Sequence, residues 1–195
     1  MKKQIIFASR NEGKIKEIQS ILAPLDISIL SAQDIDLDDI SETGSTFEEN
    51  AKIKAIAAAK HAGLPALADD SGLCIHGLNN EPGIYSSRYA QKMGGYPQAF
   101  EDVLKRLENN PDKTAHFSCV LVFAFPNGES KTFEGRVDGK IVEPRDGING
   151  FGFDPIFMPD GFTQSFAELS EEKKNSISHR GRAVQSFIEY MKNNF

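Results

Sequence analysis

Apolar positions change period several times along the chain, and each change marks an element. Gln4–Ala8 is a short apolar run that predicts a strand. Helical spacing follows over Gly13–Leu22, where Ile15, Ile18, Ile21 and Leu22 share one face and Pro24 stops the run. Ile27–Leu30 predicts a second strand, and the acidic segment "AQDIDLDDISETGS" after it has no period. Thr46 and Glu49 form a T-x-x-E capping box that opens a helix through "FEENAKIKAIAAAKHAG", with Gly63 as its C′ residue. Ala66–Asp69 and Leu73–Leu78 predict two strands, separated by a turn at Asp69–Gly72. "NNEPGIYSSRYA" predicts a loop. Pro97 suits the N1 position of a helix to Asn109, with Phe100, Val103, Leu104 and Leu107 as its stripe.

Thr114–Phe125 is apolar on both faces, as a central strand covered on both sides must be. Asn127–Gly128 is a hairpin turn returning into "SKTFEGRV", and Asp138–Gly139 predicts another turn before "KIVEP". A last helix over Ser178–Asn193 carries Val184, Phe187, Ile188 and Met191 on one side. The succession is βαβ-like at the front and an antiparallel meander in the middle. It predicts an α/β fold: a mixed central β-sheet flanked by helices, with the first two hairpin strands reaching into a second lobe. With 195 residues and no internal repeat, residues 1–195 are expected to form a single domain.

Composition narrows the partners. A net charge of −6 argues against non-specific binding to nucleic acid or an anionic membrane, but a small basic pocket for a nucleotide remains open. Cys74 and Cys119 lie in apolar runs without a CxxC, so they read as buried thiols in a reducing compartment. No apolar run approaches the ~18 residues of a membrane span. The apolar run at the N-terminus is too short for a signal peptide, and a cytoplasmic location is expected.

Four segments carry chemistry. "SRNEGK" (Ser9–Lys14) joins a strand to a helix, where backbone N–H groups and the helix dipole favour a phosphate. It is not a Walker A loop, since Ile15 stands where the magnesium-binding hydroxyl would be. Glu42 and the pair Asp69/Asp70 are acids of the kind that hold Mg²⁺ with water and substrate phosphates. On consecutive extended residues only one of the Asp pair can face a given site. "NGFGFDPIF" (Asn149–Phe157) alternates glycine with phenylalanine, which suits close approach to a flat ring. "EKKNSISHRGRA" puts His179, Arg180 and Arg182 at a helix N-terminus, against the dipole, unless an anion or a base carbonyl offsets them. Each segment also has a plainer reading: a βα turn, solvated loop acids, core packing for Phe153, and an exposed basic turn.

The order of these blocks is more specific than any one of them. "SRNEGK", "ETGSTFEENAKIKA", "ALADDSGLCI", "PGIYSSRYA", "GFGFDPIF" and "KNSISHRGRA" run through nearly the whole chain. Together they resemble the inosine triphosphate pyrophosphatase family, also called XTP/dITP diphosphatases. The resemblance implies hydrolysis of ITP, dITP and XTP to the monophosphate and pyrophosphate, Mg²⁺ dependence and a homodimer, with two lobes and a cleft between them. It implies that Ser9, Arg10, Asn11, Glu12, Gly13 and Lys14 form the phosphate loop, with Lys54 near the phosphates and Ser71 a substrate contact. Glu42 and Asp70 become magnesium ligands and Asp70 the proton acceptor, with Asp69 behind it at the metal. Phe151, Gly152, Phe153 and Asp154 become the base-binding loop, and Lys174, His179 and Arg180 the base-recognising cluster. Arg88 matches a family arginine with no fixed role. Two other readings stay open: a nucleotide-binding regulator that does not hydrolyse, and a pyrophosphatase for other nucleotides such as modified pyrimidines.

Overall fold

A computed structural model describes residues 3–25, 27–147 and 150–194. Asn149 of the glycine-phenylalanine segment therefore lies outside the described residues. Among them, a seven-stranded mixed sheet has the order β2-β1-β3-β5-β6-β7, with β4 paired to β3 off that path. The strands are β1 (Lys3–Phe7), β2 (Ile27–Ser31), β3 (Ala66–Ile75), β4 (Glu81–Pro82), β5 (Thr114–Ala124), β6 (Ser130–Ile141) and β7 (Phe157–Pro159). The α-helices are α1 (Glu12–Leu22), α2 (Phe47–Ala62), α3 (Ser86–Met93), α4 (Tyr96–Leu107), α5 (Glu171–Ile177) and α6 (His179–Asn194). β1 pairs in parallel with both β2 and β3, whereas β3–β4 and β6–β7 are antiparallel.

The chain divides into two compact units. One comprises residues 1–70, 119–135 and 180–195, and the other residues 71–118 and 136–179. In the first unit the sheet is covered on both faces. On one side Ile5, Phe7, Leu67, Leu121 and Phe123 pack with Ile18 and Leu22 of α1 and Val184 and Phe187 of α6. On the other, Ile6, Ala66, Ala68, Val120 and Val122 meet the alanine stripe Ala51, Ala55, Ala58 and Ala59 of α2. The small side chains explain why α2 lacks an amphipathic pattern in large residues and still buries a face. Its ends are as expected: Thr46 Oγ1 accepts from Glu49 N at 3.1 Å, and Gly63 closes the helix at φ 64°. The second unit has its own core, built on Leu73, Ile75, Phe117, Val137 and Phe157 with Phe100 and Val103 of α4.

Three local expectations are overturned. β3 does not break at Asp69–Gly72; it runs unbroken through both acids to Ile75. Gly72 is there because a neighbour crosses against it: a Cβ would sit 2.1 Å from Gly83 O and 2.7 Å from Ser86 Oγ. Asp138–Gly139 is not a turn either, since β6 continues to Ile141 and a Cβ on Gly139 would sit 2.3 Å from Met158 O. The presumed loop at "NNEPGIYSSRYA" holds the short strand β4 and most of α3. By contrast the Asn127–Gly128 hairpin turn is present, with Gly128 at φ 92°.

Candidate active site

In the first unit, β1 delivers the chain into Ser9–Asn11 and then α1. Ser9 Oγ accepts from Asn11 N at 3.2 Å, and Asn11 caps the helix by accepting from Lys14 N at 3.2 Å. Those bonds shape the turn at which Glu12 and Gly13 open the helix. Arg10 donates to Leu37 O at 2.5 Å, so its guanidinium ties the turn to the acidic segment.

Lys14 and Glu17, one turn apart on α1, point into a buried ionic network. Lys14 Nζ lies 3.1 Å from Asp69 Oδ1, and Arg180 Nη2 donates to Asp69 Oδ2 at 3.0 Å. Arg180 also donates to Glu17. The Asp69 carboxyl and the Arg180 side chain are almost wholly buried. Burial opposes the charge on Asp69, but Lys14, Arg180 and Lys54 outweigh it and hold its carboxyl well below the usual range. Burial likewise opposes the charge on Arg180, and Asp69 and Glu17 hold its pKa above the ordinary value. The cation at the start of α6 is thus offset by carboxylates of β3 and α1.

Asp70 faces the other side of the strand and has a different environment. Its Oδ2 accepts from Asn50 Nδ2 at 3.1 Å, and Lys54 Nζ lies 3.8 Å from its Oδ1. Lys54 also donates to Glu42. Asn50 and Lys54 are four residues apart on α2 and so share a face. Burial pushes the Asp70 carboxyl up to about 6, against Lys54 and Lys14 and with help from Glu42. Burial pulls the Lys54 ammonium down, but Asp70, Asp69 and Glu42 together keep it above its ordinary value. Strand alternation has therefore made two unlike groups from adjacent residues: a locked anion and a poised base.

In the second unit, Lys174 of α5 donates to Asp154 Oδ2 at 2.7 Å, and both are buried. The same oxygen accepts from Phe151 N at 2.6 Å, which closes the loop around Gly150 and Gly152. Gly150 sits at φ 92°, and a Cβ there would lie 2.6 Å from Asp154 Oδ2. The Lys174 ammonium lies 4.8 Å from the centre of the half-buried Phe151 ring. His179 stacks on Phe117 with centroids 4.7 Å apart and planes 10° from parallel. Phe153 is core, packed with Tyr96 and Phe100. Ser71, half-buried on β3, and Arg88, whose guanidinium lies 4.9 Å from the Tyr85 ring centre, also belong to this unit.

The sequence pattern of the Ham1 family matches residues 5–190, which include every residue of both clusters. A dITP/XTP pyrophosphatase of Gluconobacter oxydans is 45% identical over 95% of this chain and 89% of its own length. One from Agrobacterium fabrum is 44% identical over 95% and 94%. The solved structure of a HAM1 protein from Coxiella burnetii superposes with a TM-score of 0.89 at 43% identity, over 98% of this chain and 99% of that one. The chain belongs to the Ham1 family. The mixed α/β fold agrees with the solved Ham1 structures, the Staphylococcus aureus Ham1 protein among them at a TM-score of 0.87 and 41% identity, over 99% of this chain and 100% of that one.

Of the residues expected from sequence, this Ham1 protein brings Glu42, Lys54 and Asp70 together, and separately Phe151, Asp154 and Lys174. Both oxygens of Asp69 face cations, Lys14 and Arg180. Arg180 pairs with Asp69 and Glu17. Sequence reasoning overlooked Asn50 and Glu17. Asn50 carried a signal: a polar residue in line with an alanine stripe, one turn before a lysine, is seldom put on a buried helix face without a partner.

Proposed function

We propose that this Ham1 protein hydrolyses deaminated purine nucleoside triphosphates, dITP, XTP and ITP, to the nucleoside monophosphate and pyrophosphate. The observation that carries the reading is the placement of Asp70: a buried carboxyl held between Asn50 and Lys54 beside Glu42, which burial pushes up to about 6. A base of that kind suits proton removal from an attacking water at physiological pH. Attack at the α-phosphorus, with pyrophosphate leaving, accounts for the product pair. The start of α1 offers N–H groups and a favourable dipole to phosphate oxygens, and Lys14 and Lys54 offset their charge as the leaving group departs.

Mg²⁺ fits this donor set. Glu42 and Asp70 already converge on one cation, the Lys54 ammonium. Among the described residues no three His, Cys, Asp or Glu side chains form a metal cage. Mg²⁺ is usually bound by one or two carboxylates with water and substrate oxygens. Glu42 and Asp70 would hold it, and when bound it supplies charge neutralisation at the phosphates. Asp69, already between two cations, is left out.

Base selection is assigned to the second unit. Lys174, held by Asp154, is a donor-only group, and His179 supplies a donor when suitably protonated. Hypoxanthine and xanthine present a 6-oxo acceptor there, whereas adenine presents a donor. A polar site can reject such a mismatch by up to ~10⁴-fold. The proposal includes a homodimer and a cytoplasmic location. Among the described residues, no helix is long and apolar enough to cross a membrane.

The test is a panel of dITP, XTP, ITP, GTP, ATP and a modified pyrimidine triphosphate with Mg²⁺, assayed for pyrophosphate and orthophosphate. Pyrophosphate from dITP, XTP and ITP, with little from GTP and far less from ATP, is the expected result. Orthophosphate as product, or equal rates with ATP and ITP, overturns it. Light scattering that gives a particle of one chain's mass overturns the dimer.

A further inference from the structure

We infer that Asn50 is a positioning residue that sets the orientation of the Asp70 carboxylate and ties it to the segment bearing Glu42; the inference rests on the function proposed above. Asn50 is completely buried, and the other buried residues of α2 are all alanines. Its amide spans two partners: Nδ2 donates to Asp70 Oδ2 at 3.1 Å, and Oδ1 accepts from Gly44 N at 2.8 Å. These partners fix which end of the amide is which. A backbone N–H can only donate, so it faces the oxygen; a carboxylate accepts, so it faces the NH₂.

The consequences differ on the two sides. With Oδ2 of Asp70 taken by the amide, Oδ1 is the oxygen turned toward Lys54, whose ammonium also holds Glu42. On the other side Gly44, two residues beyond Glu42, lies against the amide. A Cβ there would sit 2.7 Å from Asn50 Oδ1 and 2.6 Å from Glu49 Cβ. The segment thus comes close enough to donate to Asn50 because residue 44 has no side chain. One buried amide therefore joins the strand that carries one proposed magnesium ligand to the segment that carries the other. Side chains that hold a reacting group by hydrogen bonds of this kind act chiefly on the transition state, where a small misplacement is costly.

The test combines kinetics with a double-mutant cycle on the full-length protein. Asn50→Ala is expected to lower kcat for dITP by about 10- to 100-fold while KM stays within threefold, the pattern of an interaction used in the chemical step. Gly44→Ala, which displaces the segment without removing a charge or an amide, is expected to lower kcat in the same way. Asn50→Ser is the second variant should Asn50→Ala fold poorly, with the same expectation. The cycle of Asn50→Ala, Asp70→Ala and the double variant, read in urea, is expected to show coupling of at least about fivefold in the unfolding equilibrium constant. A kcat within threefold of wild type in a folded Asn50 variant, or an additive cycle, overturns the inference. Wild-type protein that releases no pyrophosphate from dITP overturns the functional reading instead, and the cycle still decides whether Asn50 and Asp70 are coupled.

Discussion

Asp69 and Asp70 are neighbours with the same side chain, and neutralising each is predicted to move stability in opposite directions. Asp69→Asn removes the charge that Lys14 and Arg180 share inside the protein. Breaking a buried ion pair from one side costs about 3–5 kcal/mol, since the remaining cations stay buried. Asp70→Asn removes a charge that burial already disfavours. A carboxyl moved from 3.8 to about 6 in the folded state loses up to about 3 kcal/mol of stability at pH 8, at 1.36 kcal/mol per pH unit. The amide replacing it can still accept from Asn50. The signs with pH follow from linkage. The raised Asp70 pKa means that the folded protein binds its proton more tightly than the unfolded chain does. The penalty is therefore full above pH 6 and absent below about pH 4. The depressed Asp69 pKa works the other way: its contribution is present above the unfolded carboxyl pKa and is lost as pH falls through the folded value.

The assay is urea denaturation of wild type and both variants with EDTA, at pH 8 and pH 4. At pH 8, Asp70→Asn is expected to raise the midpoint by about 1 M, with a slope of about 2–3 kcal/mol/M, and in a separate assay with Mg²⁺ to abolish turnover. Asp69→Asn is expected to lower the midpoint by more than that. At pH 4 the gain from Asp70→Asn disappears. Two variants that shift the midpoint in the same direction at pH 8, or an Asp70→Asn gain that persists at pH 4, would refute the assignment of unlike roles.

Three further outcomes follow from other parts of the structure. Gly72→Ala forces a Cβ against Gly83 O and should destabilise by about 1–3 kcal/mol, seen as a lower thermal midpoint; a neutral result would mean that the neighbouring segment yields freely. Lys174→Met leaves Asp154 as a buried carboxylate without its ammonium, so a loss of about 3–5 kcal/mol is expected in urea, together with a higher KM for dITP. Cys119, whose thiol burial pushes up to about 12, with the Asp69 charge adding to the rise, should resist a thiol reagent at pH 8 until the protein unfolds; rapid labelling of native protein would contradict its placement.

Much of this protein is written in local pattern. The period of Ile15, Ile18, Ile21 and Leu22, the Thr46 cap, the two-sided apolar run of β5 and the Asn127–Gly128 turn are short-range signals. The structure realises each one. The block order from "SRNEGK" to "KNSISHRGRA" likewise carried the family. Propensity erred at Gly72 and Gly139. There the physical reason for glycine is a neighbouring backbone more than ten residues away in sequence, and no local rule separates that from a turn. The same limit applied to the acids. Sequence alternation already implied that Asp69 and Asp70 face opposite sides. Only the tertiary structure supplied what each side holds: Arg180 and Lys14 for one, Asn50 and Lys54 for the other. Burial and long-range charge set how a carboxylate behaves, and both come from residues up to 111 positions apart in the chain.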